Sequence, residues 1–298
     1  MSVNEDELNR LLMSTPLGGR KVVTLGVLDT SEEAYAIPAT AGKLEEEWKV
    51  ARSLLSSTGR WPVMVTCWGG DIEREDLFSR FYFEEDAPQD DVSPTEIIRR
   101  AESLSPEQVL HGLAQTPDIL PLEEDLEVEL EVTQLEFGGQ PSEAEIRAFI
   151  EKQEPDSFEL DRFLLDWELE RGLEWDPKLF RQGSFEPDSG YLVFLPVSSS
   201  WDSLAYIHWY GCGRFNTEQM IALGRSWEQR YGAELWAHYG TMLQCFVSTP
   251  PETIDQAWSL SREHYLVSPD TFIVPGISIR QYAVGLRSHG DWFLHERP

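Results

Sequence analysis

The chain has 298 residues, 41% apolar and 11% aromatic with 11 Trp, a composition that supports a sizeable packed core and excludes a disordered chain. Its net charge of −29 is uneven: residues 84–176 carry 6 basic against 28 acidic groups, a balance of −22. A field of that sign repels phosphate backbones and anionic lipid, so neither nucleic acid nor a membrane is expected as a partner, and a basic protein is.

No apolar run reaches the ~20 residues of a membrane helix. The start, Met1-Ser-Val-Asn-Glu-Asp-Glu7, lacks the basic and apolar regions of a signal peptide. Cys67, Cys212 and Cys245 are too few and too scattered for a disulfide framework. A cytoplasmic protein with free thiols is the expectation.

In chain order, Glu5 to Met13 forms a short amphipathic helix. Lys21–Leu28 and Ala34–Ile37 read as strands, and Leu44, Trp48, Ala51 and Leu55 recur at helical spacing before Gly59. Trp61–Trp68 is a further strand. Ser93-Pro94 and Ser105-Pro106 each set an N-cap before a Pro at the first helical position.

Leu122–Val132 alternates Leu126, Val128, Leu130 and Val132 with acidic residues, a period of two that predicts a strand with one carboxylate face. Glu123, Glu124, Asp125, Glu127, Glu129 and Glu131 would form that face, exposed to solvent and to a basic partner. Ser142 with Glu145, and Asp156, then open two more helices.

Asp176–Ser189 is a polar stretch that contains Gly and Pro, the expected domain boundary. Beyond it, Tyr191–Val197 and Leu204–Tyr210 read as strands. Asn216 with Gln219 makes a capping box for a helix carrying Met220, Leu223, Trp227 and Tyr231, and Gly232 ends it. Leu235–Tyr239 and Leu243–Val247 return as strands. Pro250-Pro251 opens another helix, Ser278 caps the last, and Asp291–His295 closes the chain as a strand. Ala34–Trp68 and Leu204–Tyr239 share a strand-helix-Gly-strand order, which admits a faint duplication or convergent packing.

The fold class is thus α+β, with mixed sheets flanked by helices. Three segments are expected: an N-terminal unit at 1–83, a mainly helical acidic insertion at 84–176, and a C-terminal domain at 190–298. Chemistry is sparse. His208, Cys212, His238 and Cys245 could offer two imidazoles and two thiolates to zinc, yet their spacings match no common zinc motif, so no metal is expected. Cys212 would need His238 or His264 as a base to act as a nucleophile. No phosphate loop or nucleophile elbow is present, so neither a cofactor nor a catalytic residue is assigned. Trp209, His208, His238, Trp227 and His264 are the candidates for a pocket.

Arg225-Ser-Trp-Glu-Gln-Arg-Tyr-Gly-Ala233, Thr241-Met-Leu243, Pro250-Pro251, Arg262-Glu-His-Tyr265, Pro269-Asp270 and Trp292-Phe293 resemble the bacterial family called domain of unknown function 4253. The earlier Leu195-Pro-Val197 and Trp209-Tyr-Gly-Cys-Gly213 continue the likeness over about 190–295. Trp48-x3-Arg52 and Thr58-Gly-Arg-Trp-Pro62 look like the region preceding that domain in relatives. Gly240 stands where the family often has an acidic residue, and Ser268 where it often has Cys, so a family site at those positions would be partly lost. The expectation is a non-enzymatic binding protein, in concrete form an immunity- or antitoxin-type protein whose acidic face covers a basic toxin. The alternative is a hydrolase or ligand-binding enzyme using the Trp/Tyr/His pocket.

Overall fold

A computed structural model describes residues 2–27, 30–66, 72, 77–78, 92–114, 122–153, 156–176, 187, 189–213 and 215–297, the side chains of 122–125, 152–153 and 213 excepted. In chain order the elements are α1 (Glu5–Leu12), β1 (Val23–Gly26), β2 (Glu33–Pro38), α2 (Leu44–Ser53), α3 (Leu55–Thr58), β3 (Trp61–Val65), α4 (Pro94–Ala101), α5 (Pro106–Leu113) and α6 (Leu122–Phe137). There follow α7 (Glu143–Gln153), α8 (Ser157–Glu170), β4 (Tyr191–Leu195), α9 (Thr217–Tyr231), β5 (Ala233–His238), β6 (Met242–Val247), α10 (Ile254–Val267), α11 (Asp270–Ile273), α12 (Ile279–Leu286) and β7 (Asp291–His295). The α+β class holds. Two compact units emerge: Met1–Val109 with Ser184–Thr249 and Gly290–Pro298, and Leu110–Gly183 with Pro250–His289.

The first unit is built on a seven-stranded sheet in the order β1-β2-β4-β3-β5-β6-β7. β4 lies between β2 and β3 and is antiparallel to both, which makes β2 and β3 parallel but one strand apart. Residues 1–83 therefore leave a gap in their own sheet, with main-chain donors and acceptors on both sides that need partners. Tyr191–Leu195 fills it. The expected separation of 1–83 from 190–298 is corrected by this pairing, since both segments share one sheet. Nor is 84–176 a separate unit, because α4 belongs to the first unit, where Arg100 meets Glu218 of α9 at 3.5 Å. The expected boundary at 176–189 falls mostly outside the described residues.

Alternation places a helix on each face of the sheet. Phe246 lies 6.4 Å from Trp48 of α2, which also donates through Nε1 to the Pro62 carbonyl. The neighbouring Cys245 is paired with Trp292, whose ring meets Trp227 of α9 edge-on at 6.4 Å. Adjacent strand residues point to opposite faces, so α2 and α9 cover opposite sides.

Two strand expectations fail, for different reasons. Leu204–Tyr210 is coiled: a 3₁₀ turn runs over Trp201–Ala205 and another over Tyr210–Gly213. Ser203 Oγ donates to the Ser200 carbonyl at 2.5 Å, and the Tyr206 and Ile207 amides return to the Ser203 carbonyl. Such local hydrogen bonding competes with a ladder, and a short apolar run carries no period to decide between them. Leu122–Val132 is the first part of helix α6, where Leu and Glu are both strong helix formers. The duplication reading loses its basis too. β2 and β3 run parallel around α2, whereas β4 and β5, which flank α9, are antiparallel.

The helix ends follow their sequence signals. Asn4, Asp156, Asn216, Thr253 and Ser278 each make a full capping box. The helix after Pro250-Pro251 starts at Ile254, with Thr253 rather than the prolines as its cap.

Gly224 is a helix glycine whose place is decided by packing. A Cβ there would overlap the ring of Trp201, a fully buried residue whose Nε1 donates to the Ala233 carbonyl. Helix propensity alone makes Gly224→Ala stabilising by ~1 kcal/mol. Overpacking should instead destabilise the protein by about 1–3 kcal/mol. A lowered urea midpoint for Gly224→Ala is the expected result, and a raised one would show that Trp201 moves aside freely.

Candidate functional site

The acidic residues of α6 divide between two sides of the helix. Glu129 and Thr133 turn inward, where Arg280 of α12 donates to both through its two terminal nitrogens. Arg280 also donates to Asp161 and, at 3.0 Å through Nε, to Glu168, both from α8. Glu168 takes a second hydrogen bond from Trp175 Nε1 at 2.8 Å, and Asp161 accepts from the Ile279 amide at 3.0 Å. One fully buried guanidinium thus joins three carboxylates from two helices. Burial works to lower the Arg280 pKa, but Asp161, Glu129 and Glu168 outweigh it and hold the pKa raised. Burial raises Glu168 above the ordinary carboxylate value, against the pull of Arg280.

Glu129 is therefore removed from the expected solvent-facing set. A period-two pattern wound on a helix scatters its members around the axis rather than lining them up. Glu127 and Glu131 are exposed, as is Glu136. None of these three meets a cation among the described residues. The side chains of Glu123, Glu124 and Asp125 lie outside the described set.

The same winding exposes apolar groups. Val128 is 56% and Leu135 77% exposed, with Val132 half-buried between them. Positions 128, 132 and 135 follow the i, i+4, i+7 spacing of one helix face. α7 buries no apolar residue either: Ile146 and Phe149 are half-buried and Ile150 is exposed. Phe149 stacks on Phe163 at 4.6 Å, and Phe137 of α6 meets Trp175 edge-on at 4.8 Å. These two contacts tether α6 and α7 on one side only.

Of the expected pocket residues, His208, Trp209, Trp227 and His238 belong to the first unit and His264 to the second. Trp227 is fully buried against Trp201 and Trp292. Trp209 is buried and donates through Nε1 to the Thr241 carbonyl at 3.1 Å. His264 belongs to the other compact unit, where its Nδ1 lies 2.9 Å from the Tyr282 hydroxyl. His208 sits between the two 3₁₀ turns, with Nδ1 3.4 Å from Thr217 Oγ1. His238 is buried at the end of β5, just past a bulge between Leu235 and Ala237. The Gly240 amide donates to its Nδ1, so the neutral ring carries its proton on Nε2.

Desolvation pushes the His238 pKa down to about 4, so the ring stays neutral near pH 7. It pushes the Cys212 thiol up to about 12 and raises Cys245 as well, which leaves both as thiols rather than the nucleophilic or metal-binding thiolate. Among the described residues no three His, Cys, Asp or Glu side chains converge as a metal site. Cys67 lies outside the described residues. A cavity of about 200 Å³ in the second unit is bordered by Leu165, Glu168, Leu169, Trp175, Val284 and Arg287. Its buried acid, Glu168, already accepts from Arg280 and Trp175.

The sequence singled out Arg225–Ala233 without showing its role. Arg225 donates to Asp202 at 3.0 Å, Glu228 accepts from Ser200 Oγ at 3.1 Å, and Tyr231 meets Trp292 at 5.5 Å. Gly232 ends α9 at φ +61°, a left-handed conformation that favours glycine. Each of these roles is architectural. Arg280 escaped sequence analysis, and its only signal was a basic residue amid the apolar positions of the last helix.

Residues 191–295 match the family model described as Domain of unknown function (DUF4253). The match does not reach Trp48–Pro62. It takes in both units, since 250–289 belongs to the second. No curated protein and no solved structure matches the chain. Among the described residues no helix is long and apolar enough to cross a membrane.

Replacing Arg280 by Met should destabilise the protein by about 3–5 kcal/mol, because three carboxylates lose their shared cation. A urea denaturation series would read this, and a loss under ~1 kcal/mol would contradict the account. Glu168 has its folded pKa above the ordinary 4.5. Its protonation therefore contributes stability present below pH 4.5 and lost as pH rises through the folded value. Stability measured across that window should fall with pH in the wild type and fall less steeply in Glu168→Gln.

Proposed function

We propose that this chain is a non-enzymatic binding protein whose acidic surface takes a basic protein partner. The observation that carries the reading is the outer side of α6. Glu127, Glu131 and Glu136 are exposed there without a cation among the described residues. By contrast, Glu47 is paired with Arg20, Glu234 with Arg52 and Asp202 with Arg225. Clustered like charges repel one another in the free protein, and a cationic partner relieves that repulsion while being steered to the site. An immunity- or antitoxin-type protein covering a basic toxin is the concrete form of this reading.

The test compares wild type with the triple variant Glu127→Gln, Glu131→Gln, Glu136→Gln in capture from native-host lysate at low and high salt. Wild type should retain an identifiable basic protein with rapid, salt-sensitive association, and the variant should lose it while unfolding at the same urea concentration. Recovery of the same proteins by both forms would reduce the acidic face to a solubility device.

A further inference from the structure

We infer that the apolar stripe of α6 is the seat for a basic amphipathic helix presented by that partner. This rests on the binding reading above and adds the shape and chemistry of the occupant. Val128, Val132 and Leu135 form a narrow apolar seam along a helix of 16 residues, flanked by Glu127, Glu131 and Glu136. A straight seam at i, i+4, i+7 is matched by a second helix lying along it, with side chains of one filling gaps of the other. Neighbouring charges then choose the partner's sign, as flanking positions do in paired helices.

The charge also decides against a second copy of this chain. Two α6 faces meeting would bring Glu127, Glu131 and Glu136 of each copy together, with no cation near them among the described residues. Like charges at close range oppose such pairing. A helix with Leu or Ile on one face and Lys or Arg beside it satisfies both the seam and the carboxylates. The inner side of α6 is already fixed by Arg280 and Trp175, so the seat needs no rearrangement of the helix to receive it.

The test uses two synthetic three-heptad peptides of identical Leu and Lys composition, one amphipathic and one scrambled, with fluorescence anisotropy against the full chain. The amphipathic peptide should bind about tenfold more tightly than the scrambled one, the scale of one well-seated apolar anchor. The double variant Val128→Ser, Leu135→Ser should erase that preference. Both side chains are exposed, so the fold should be kept, which a urea melt checks. Glu127→Gln, Glu131→Gln, Glu136→Gln should weaken both peptides alike. Equal binding of the two peptides by wild type, or a preference that survives the Ser variants, overturns the seat and leaves the acidic binding reading standing. Failure of both peptides to bind overturns both readings. Sedimentation should show a monomer, and a dimer dissolved by the Ser variants would assign the seam to a second copy instead.

Discussion

The constraint on which the first unit depends is the gap between β2 and β3. These strands are parallel and one strand-width apart, so neither can satisfy its main chain from the other. β4 meets that need from more than a hundred residues along the chain, with Val193 opposite Ala36 on one side and Val63 on the other. The remaining strands then extend from β3 through a single parallel step to β5 and an antiparallel run to β7. The buried Trp227 of α9 is positioned against that extension through Trp292 of β7. Trp201, Trp227 and Trp292 fill one face because Cys245 and Trp292 are paired, and Gly224 gives Trp201 its room.

In the second unit a single cation has a comparable place. Arg280 is the meeting point of α6, α8 and α12, and it converts part of the acidic excess from surface field into internal structure. A buried ion group of this kind contributes little net stability, but it is costly to break and it fixes which face of each helix turns inward. It also sorts the surface of α6. By drawing Glu129 and Thr133 inward it leaves Val128, Leu135 and the neighbouring carboxylates outside. The same contact that closes the unit thereby leaves an apolar and acidic face of α6 exposed.

The residues that identify the family-matched region are those that hold its frame together. Arg225, Trp227, Glu228, Tyr231 and Gly232 serve an ion pair, a Trp cluster, a hydrogen bond, a ring contact and a helix end. Among the residues expected to carry chemistry, His264 belongs to a different unit from His208 and His238, and burial raises the Cys212 and Cys245 pKa values and lowers that of His238.

The sequence by itself determined what local physics controls. Asn216 with Gln219, Ser278 with Gln281 and Gly232 set their helix ends correctly, because a cap is a contact between residues three or four apart. The alternation of Leu235–His238 and Leu243–Val247 marked the strands, because a half-buried strand shows its period. Tertiary structure decided the rest. Leu122–Val132 has the period of a strand but is helical, as its Leu and Glu propensities allow, and which of its faces turns inward is set by Arg280, about 150 positions away. Leu204–Tyr210 is coiled because Ser200 and Ser203 capture the main chain there. The shared sheet of 1–83 and 190–298 depends on strand pairing across the whole chain. Which of the clustered acids turned inward was likewise set by the single buried guanidinium that three of them share.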